Sequence, residues 1–168
     1  PGSGASRRGV TRSSSSTAGL AYAINKAVAG VDDPEYPGVS IVDLGLVERV
    51  DVAGNGRASI GLVPTFSGCP ALDVIAADVR DAASAVTGVT SVDVHWLTSP
   101  TWSSDRITAR ARKALADRFT VAVGNDDEAA TCPRCGESTV EQSTFGPSRC
   151  RAIHRCSGCA EVVEVLRA

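Results

Sequence analysis

The sequence predicts an α/β (α+β) chain: a small two-layer α-β-β-α-β-α domain followed by a four-cysteine ribbon. Three observations predict it. Helical stripes at 18–28 and 71–86 flank a pair of short strands. The turn Gly54-Asn55-Gly56 between those strands is a strong hairpin signal. Cys132-Pro-Arg-Cys135 and Cys156-Ser-Gly-Cys159 form two Cys-x-x-Cys pairs separated by twenty residues.

The elements follow in order. The chain opens Pro-Gly-Ser, which resembles a cloning scar. Residues 5–17 hold three arginines and five serines with almost nothing apolar, so 1–17 is expected to be a disordered leader. Leu20, Ala23, Ile24, Ala27 and Val28 give the first helix one packing face. Pro34 and Pro37 prevent its continuation. Residues 40–44 are short and partly extended, and 46–52 and 58–63 read as strands. Thr65-Phe-Ser-Gly-Cys-Pro70 ends the second strand and opens the helix at 71–86, which Gly88 stops. Val92, Val94 and Trp96 alternate with Asp93 and His95, as in a half-buried strand. Ser103 or Ser104 can cap a helix from Asp105 to about Phe119. The first domain is therefore expected over 18–122, an acidic linker over 123–130 and the ribbon over 131–168.

Composition excludes several classes. Of the 168 residues, 43% are hydrophobic and 21% charged, as in ordinary globular chains. A net charge of −2 and 4% aromatics speak against nucleic-acid binding. No apolar run reaches the length of a membrane span, and no signal segment is evident. Five of six cysteines crowd into the last 37 residues, a pattern of reduced thiols in a cytoplasmic protein. There is no Gly-rich phosphate loop and no flavin or nicotinamide fingerprint. With two histidines, no catalytic triad can be argued. No independent catalytic apparatus is expected.

The paired knuckles point to a tetrahedral four-thiolate site at Cys132, Cys135, Cys156 and Cys159. Gly136 and Gly158 suit the left-handed backbone that such knuckles need. Zinc is the favoured occupant of this zinc-ribbon-like module, and an iron–sulfur cluster is the alternative. Cys150 is a fifth thiol, either an additional exchange ligand or a buried hairpin residue. His154 is an optional ligand.

A second candidate lies at the strand-to-helix junction. Cys69 precedes Pro70, where free amides and the helix dipole would favour a reactive thiolate. Asp43, Glu35, Asp33 and Thr65 could share its rim and make a transient metal or cluster transfer site. The alternative is a small buried cysteine. His95 could be a ligand or proton carrier, although a surface strand histidine is the plainer reading. Arg106, Arg110, Arg112, Lys113 and Arg118 give one helix a basic surface, either a docking face or a solvated one.

These residues also carry a family resemblance. Asp33-Pro34-Glu35, the segment from Ser40 to Val47, and Thr65-x-Ser67-Gly68-Cys69-Pro70 resemble the SufT-like domain of iron–sulfur assembly. The rest resembles one branch, the PaaD (also PaaJ) family of phenylacetate degradation. Its carriers are His95-Trp96, Trp102-Ser-Ser-Asp105, Cys132 to Gly136, Phe145-Gly-Pro-Ser-x-Cys150 and Arg155-Cys156-x-x-Cys159. The resemblance implies an accessory to a diiron monooxygenase that epoxidises phenylacetyl-CoA, helping to mature iron or iron–sulfur cofactors. Its implied partners are the epoxidase subunits or iron–sulfur carriers, with no nucleic acid and no membrane; a homodimer is left open. One departure is the tail 161–166, Glu-Val-Val-Glu-Val-Leu, which lacks the aromatics that family members often carry. An electron-transfer subunit with a redox cluster and a zinc-held interaction module are the other readings.

Overall fold

The computed structural model describes residues 11–124 and 130–166. The first ten residues of the expected leader, the core of the acidic linker and the last two residues lie outside the described residues.

Helix α1 spans Thr11–Val28, so helix begins within the segment expected to be a leader. Ile24 and Val28 are fully buried along it. The segment after it, expected to be only partly extended at 40–44, pairs two strands instead: β1 (Asp32–Asp33) and β2 (Tyr36–Ser40). Ile41 to Gly45 then turns, with the Leu44 N–H donating to the Ser40 carbonyl at 3.0 Å. Gly45 has φ +73°, and a side chain there would meet the Arg106 carbonyl oxygen at 2.8 Å, so the Asp-Leu-Gly turn needs its glycine twice over.

Strands β3 (Val47–Val52) and β4 (Arg57–Leu62) form the expected hairpin. Gly56 takes the left-handed conformation that closes it, φ +82°. After helix α2 (Leu72–Ser84), strand β5 (Ser91–Trp96) returns parallel to β4. The result is a mixed sheet in the order β3-β4-β5. One face of α2, carrying Ile75, Val79 and Ala83, packs on that sheet's core with Ile60 and Leu62.

The expected single helix from 105 to 119 is broken. A short 3-10 turn covers Ser104–Arg106, Ile107 is extended and buried, and α3 runs Ala109–Ala114 before a π-helical turn at Leu115–Phe119. Tertiary bonds impose the break. Trp102 Nε1 donates to the Leu44 carbonyl at 2.9 Å and Arg106 Nε to the Gly45 carbonyl at 2.7 Å. Thr108 restarts the helix as its N-cap, accepting from the Ala111 N–H.

The ribbon is a four-stranded sheet in the order β6-β9-β8-β7, from β6 (Val121–Val123), β7 (Thr139–Ser143), β8 (Arg151–Cys156) and β9 (Val162–Leu166). Its edge strand β6 follows directly from the first domain and runs parallel to β9. The two parts are packed together. Cys150 and Leu166 of the ribbon belong to the main core with Leu115 and Val121, whereas Ala152, Val163 and Val165 form a smaller core around Cys132 and Cys156.

Candidate metal centre and the seam between the domains

Each Cys-x-x-Cys pair sits on a tight turn. At the first, the Cys132 N–H donates to the Glu137 carbonyl at 2.8 Å and the Gly136 N–H to the Cys132 carbonyl at 2.9 Å. Gly136 is left-handed as expected, φ +80°. At the second, the left-handed residue is Ala160, φ +58°, rather than Gly158. The two knuckles are equivalent, so the residue after the second cysteine of each takes this conformation. Gly158 has a different use: a Cβ there would approach the Glu137 Cγ to 2.7 Å.

The four thiols converge, all lying within 4.8 Å of one another. Cys132 and Cys159 sulfurs are 3.7 Å apart, and those of Cys135 and Cys156 are 3.4 Å apart. Zinc–sulfur bonds of about 2.3 Å in a tetrahedron put sulfurs about 3.8 Å apart. The group therefore fits one metal ion. A multi-iron cluster would hold sulfurs on different irons farther apart than this edge, so the spacing favours a single ion. Backbone N–H groups of Arg134, Gly158 and Cys159 point at the sulfurs, each at 3.4 Å, as the outer hydrogen bonds of a thiolate site do. The Cys159 N–H leads in holding the Cys156 thiol down to about 6, with burial opposing it and the Gly158 N–H helping.

Cys150 is not part of this group. Strand β8 separates it from Cys156, and six extended residues span about 20 Å. The additional-ligand reading of Cys150 is corrected on that ground. His154 is also elsewhere, with Nδ1 2.9 Å from Thr139 Oγ1 and Nε2 facing Glu141.

Cys150 instead faces Cys69. The loop from Gly146 to Cys150 folds over the strand-to-helix junction and encloses a cavity of about 230 Å³. Glu35, Phe66, Cys69 and Pro70 line one side, Ser148 and Cys150 the other. Cys69 is half-buried and Cys150 buried, with its sulfur 3.1 Å from Ser148 Oγ. Asp33, whose carboxylate accepts from the Glu35 N–H at 2.8 Å, stands behind them.

Two expected members of this site are absent from it. Asp43 braces the start of α3, accepting from Thr108 Oγ1 at 3.1 Å and pairing with Arg110. Thr65 is half-buried and does not line the cavity. The thiol of Cys69 also differs from expectation. Burial pushes it above the ordinary cysteine range; the Ala71 N–H pulls it down, and Cys150, Glu35 and Asp33 push it further up. The helix-entry amide is present, but burial and neighbouring anions outweigh it. At neutral pH, Cys69 is thus expected to react with iodoacetamide more slowly than a free cysteine, the rate rising as pH passes its raised pKa. A rate at neutral pH above that of a free thiol would contradict this.

Arg151, which the sequence does not single out, holds the seam. It is 7% exposed. Its guanidinium reaches Glu35 of the first domain at 2.7 Å and Glu164 of β9 at 2.5 Å, and lies 5.1 Å from the ring centroid of Tyr36. Burial works against its charge, but Tyr36, Glu164 and Glu35 together hold its proton more firmly than usual. Replacing Arg151 by Met is expected to cost about 2–3 kcal/mol in a denaturation curve. That is less than the roughly 3–5 kcal/mol of a fully buried pair, because both carboxylates keep some water. The basic helix surface is similarly used inside the molecule. Arg106, Arg110, Arg112 and Arg118 bond to Glu48, Asp43, the Ser104 carbonyl and the Pro37 carbonyl, and Lys113 to Asp117. His95 lies 3.4 Å from Arg49 and Asp93, in neither candidate site.

This two-part architecture matches known proteins part by part. Residues 22–94 match the model of an iron–sulfur cluster assembly protein family, and residues 116–167 that of the PaaD zinc beta ribbon domain. Over 144 residues the chain is 36% identical to an Escherichia coli protein named as a subunit of 1,2-phenylacetyl-CoA epoxidase, covering 82% of this chain and 86% of that one. The chain belongs to the PaaD family. Its assembly domain alone is 33% identical over 85 residues to the Staphylococcus aureus "Fe-S protein maturation auxiliary factor SufT", covering 51% of this chain and 96% of that one. A crystal structure of a domain of unknown function from Bacillus anthracis superposes with a TM-score of 0.59 at 34% identity, covering 62% of this chain and 99% of that chain. What separates this PaaD-family chain from such single-domain relatives is the ribbon, and it is the ribbon that supplies Cys150 and Arg151. Among the described residues, no helix is long and apolar enough to cross a membrane.

Proposed function

We propose that this chain is a cytoplasmic, non-catalytic accessory protein that helps to load iron or an iron–sulfur unit into a phenylacetyl-CoA epoxidase. The observation that carries the reading is the placement of Cys69. A thiol of the iron–sulfur assembly domain lies in a cavity with a second thiol and a carboxylate, apart from the four-cysteine group. Sulfur and carboxylate donors together suit a soft or borderline metal held for transfer. The similarity to maturation factors and to a protein named as an epoxidase subunit supports the same reading.

In this reading the four-cysteine group holds zinc with a structural role. Its ligands would be Cys132, Cys135, Cys156 and Cys159, and the ion would supply folding energy rather than chemistry. Cys69, with Glu35 beside it, receives the cargo.

The test is co-expression of the epoxidase subunits with and without this chain, followed by iron analysis of the purified oxygenase. Oxygenase made without the chain is expected to carry markedly less iron at equal protein yield. Equal iron content in both preparations would sink the proposal. The same purification separates zinc from iron in the ribbon: one zinc per chain in colourless protein supports the structural role, and brown protein with iron in place of zinc supports electron transfer.

A further inference from the structure

We propose that the ribbon supplies the second thiolate of the cargo site: Cys150 joins Cys69 and Glu35 in binding one thiophilic divalent metal ion across the seam. This rests on the loading function proposed above and names the ligands of that site.

The donors come from both halves of the chain. Cys69 lies on the junction before α2, Glu35 on the turn between β1 and β2, and Cys150 just before β8, all on one cavity of about 230 Å³. The volume admits an ion with a water or an incoming ligand, as an exchange site requires. Two thiolates and a carboxylate form a donor set for a borderline metal such as ferrous iron, with a coordination position left for handover. Binding releases two thiol protons to solvent as two metal–sulfur bonds form. The complex then carries one net negative charge, and Arg151 stands beside it.

Arg151 also orients the carboxylate. Its Nη2 holds Glu35 Oε1 at 2.7 Å, so a metal would take the other oxygen, the usual arrangement in which an outer donor fixes a ligating carboxylate. A separate observation marks the seam as incomplete. Tyr36 is 3% exposed, and among the described residues its hydroxyl has no hydrogen-bond partner. Arg151, Glu164, Cys150 and Glu35 are all close enough to act electrostatically on that hydroxyl. A buried hydroxyl without a partner is costly, and a bound species in the seam would give it one.

Cobalt is the probe. Protein carrying one zinc per chain is titrated with Co2+ under a thiol-free reductant. One further equivalent should bind with a thiolate-to-cobalt charge-transfer band while zinc remains in the ribbon. Cys69→Ser and Cys150→Ser should each lose the band and keep the zinc. Cys150→Ala serves if the serine disturbs the core, and Glu35→Gln should weaken cobalt binding by about 10-fold or more. The proposal is overturned if zinc-loaded wild type shows no band, or if the band survives in the Cys69 or Cys150 variants, as cobalt exchange into the ribbon would produce. The two proposals fail separately. If Cys69→Ser still loads the oxygenase normally, the loading role of Cys69 falls. If Cys69→Ser blocks loading but Cys150→Ala binds cobalt and loads as wild type does, only the role of Cys150 falls.

Discussion

Replacing Cys132 by Ser, or stripping the metal with a chelator, is expected to unfold the ribbon and loosen the first domain with it. A structural zinc site is worth about 10–16 kcal/mol of apparent binding free energy, as much as the whole stability of about 5–15 kcal/mol of an ordinary domain. The small core around Cys132 and Cys156 consists mainly of alanines and valines and cannot make up that loss. The sequence alone suggests an independent first domain that would stay largely intact. The structure argues for partial coupling, because Cys150 and Leu166 complete the main core and β6 leads straight into the ribbon sheet. Amide exchange of β7 to β9 should become fast on chelation, and Cys69 alkylation should accelerate as the loop over it lifts. Ribbon amides that stay protected in metal-free, reduced protein would contradict the assignment.

Replacing Cys69 by Ala is expected to have the largest effect on function with the smallest effect on fold. The side chain is half-buried at a loop-to-helix junction, so the change should cost about 1 kcal/mol or less. Iron loading of the co-expressed oxygenase should nonetheless fall towards the level seen without this chain. The comparison uses matched expression and a melting curve for each variant. A Cys69→Ala protein that melts as wild type does and loads the oxygenase equally well would remove Cys69 from the mechanism.

Much of this is readable from local pattern. The hairpin at Gly54 to Gly56, the stripe of α2 and the alternation of β5 are set by neighbours in sequence, and they form where expected. The four-cysteine group is readable because knuckle geometry is a short-range property. Even the separation of Cys150 from that group is open to such reading, since six strand residues place Cys150 and Cys156 at opposite ends. The seam is not. Nothing near Arg151 in sequence indicates that it will meet Glu35 and Tyr36, more than a hundred residues earlier. Asp43 misleads for the same reason: it is close to the junction only by assumption, and Thr108 and Arg110 hold it at α3. The helix at 105–119 has good local signals, and long-range bonds from Trp102 and Arg106 break it. The sign of the Cys69 shift depends on burial and on Cys150, both tertiary facts.

The most direct test of the central claim uses oxygenase that already holds its iron. Loaded oxygenase and its reductase are assayed for phenylacetyl-CoA epoxidation with and without a stoichiometric amount of this chain. A loading factor has finished its work by then, so the two rates should be equal. If the loaded enzyme stays inactive until the chain is added, the chain is a working subunit of the epoxidase, and the loading account is wrong.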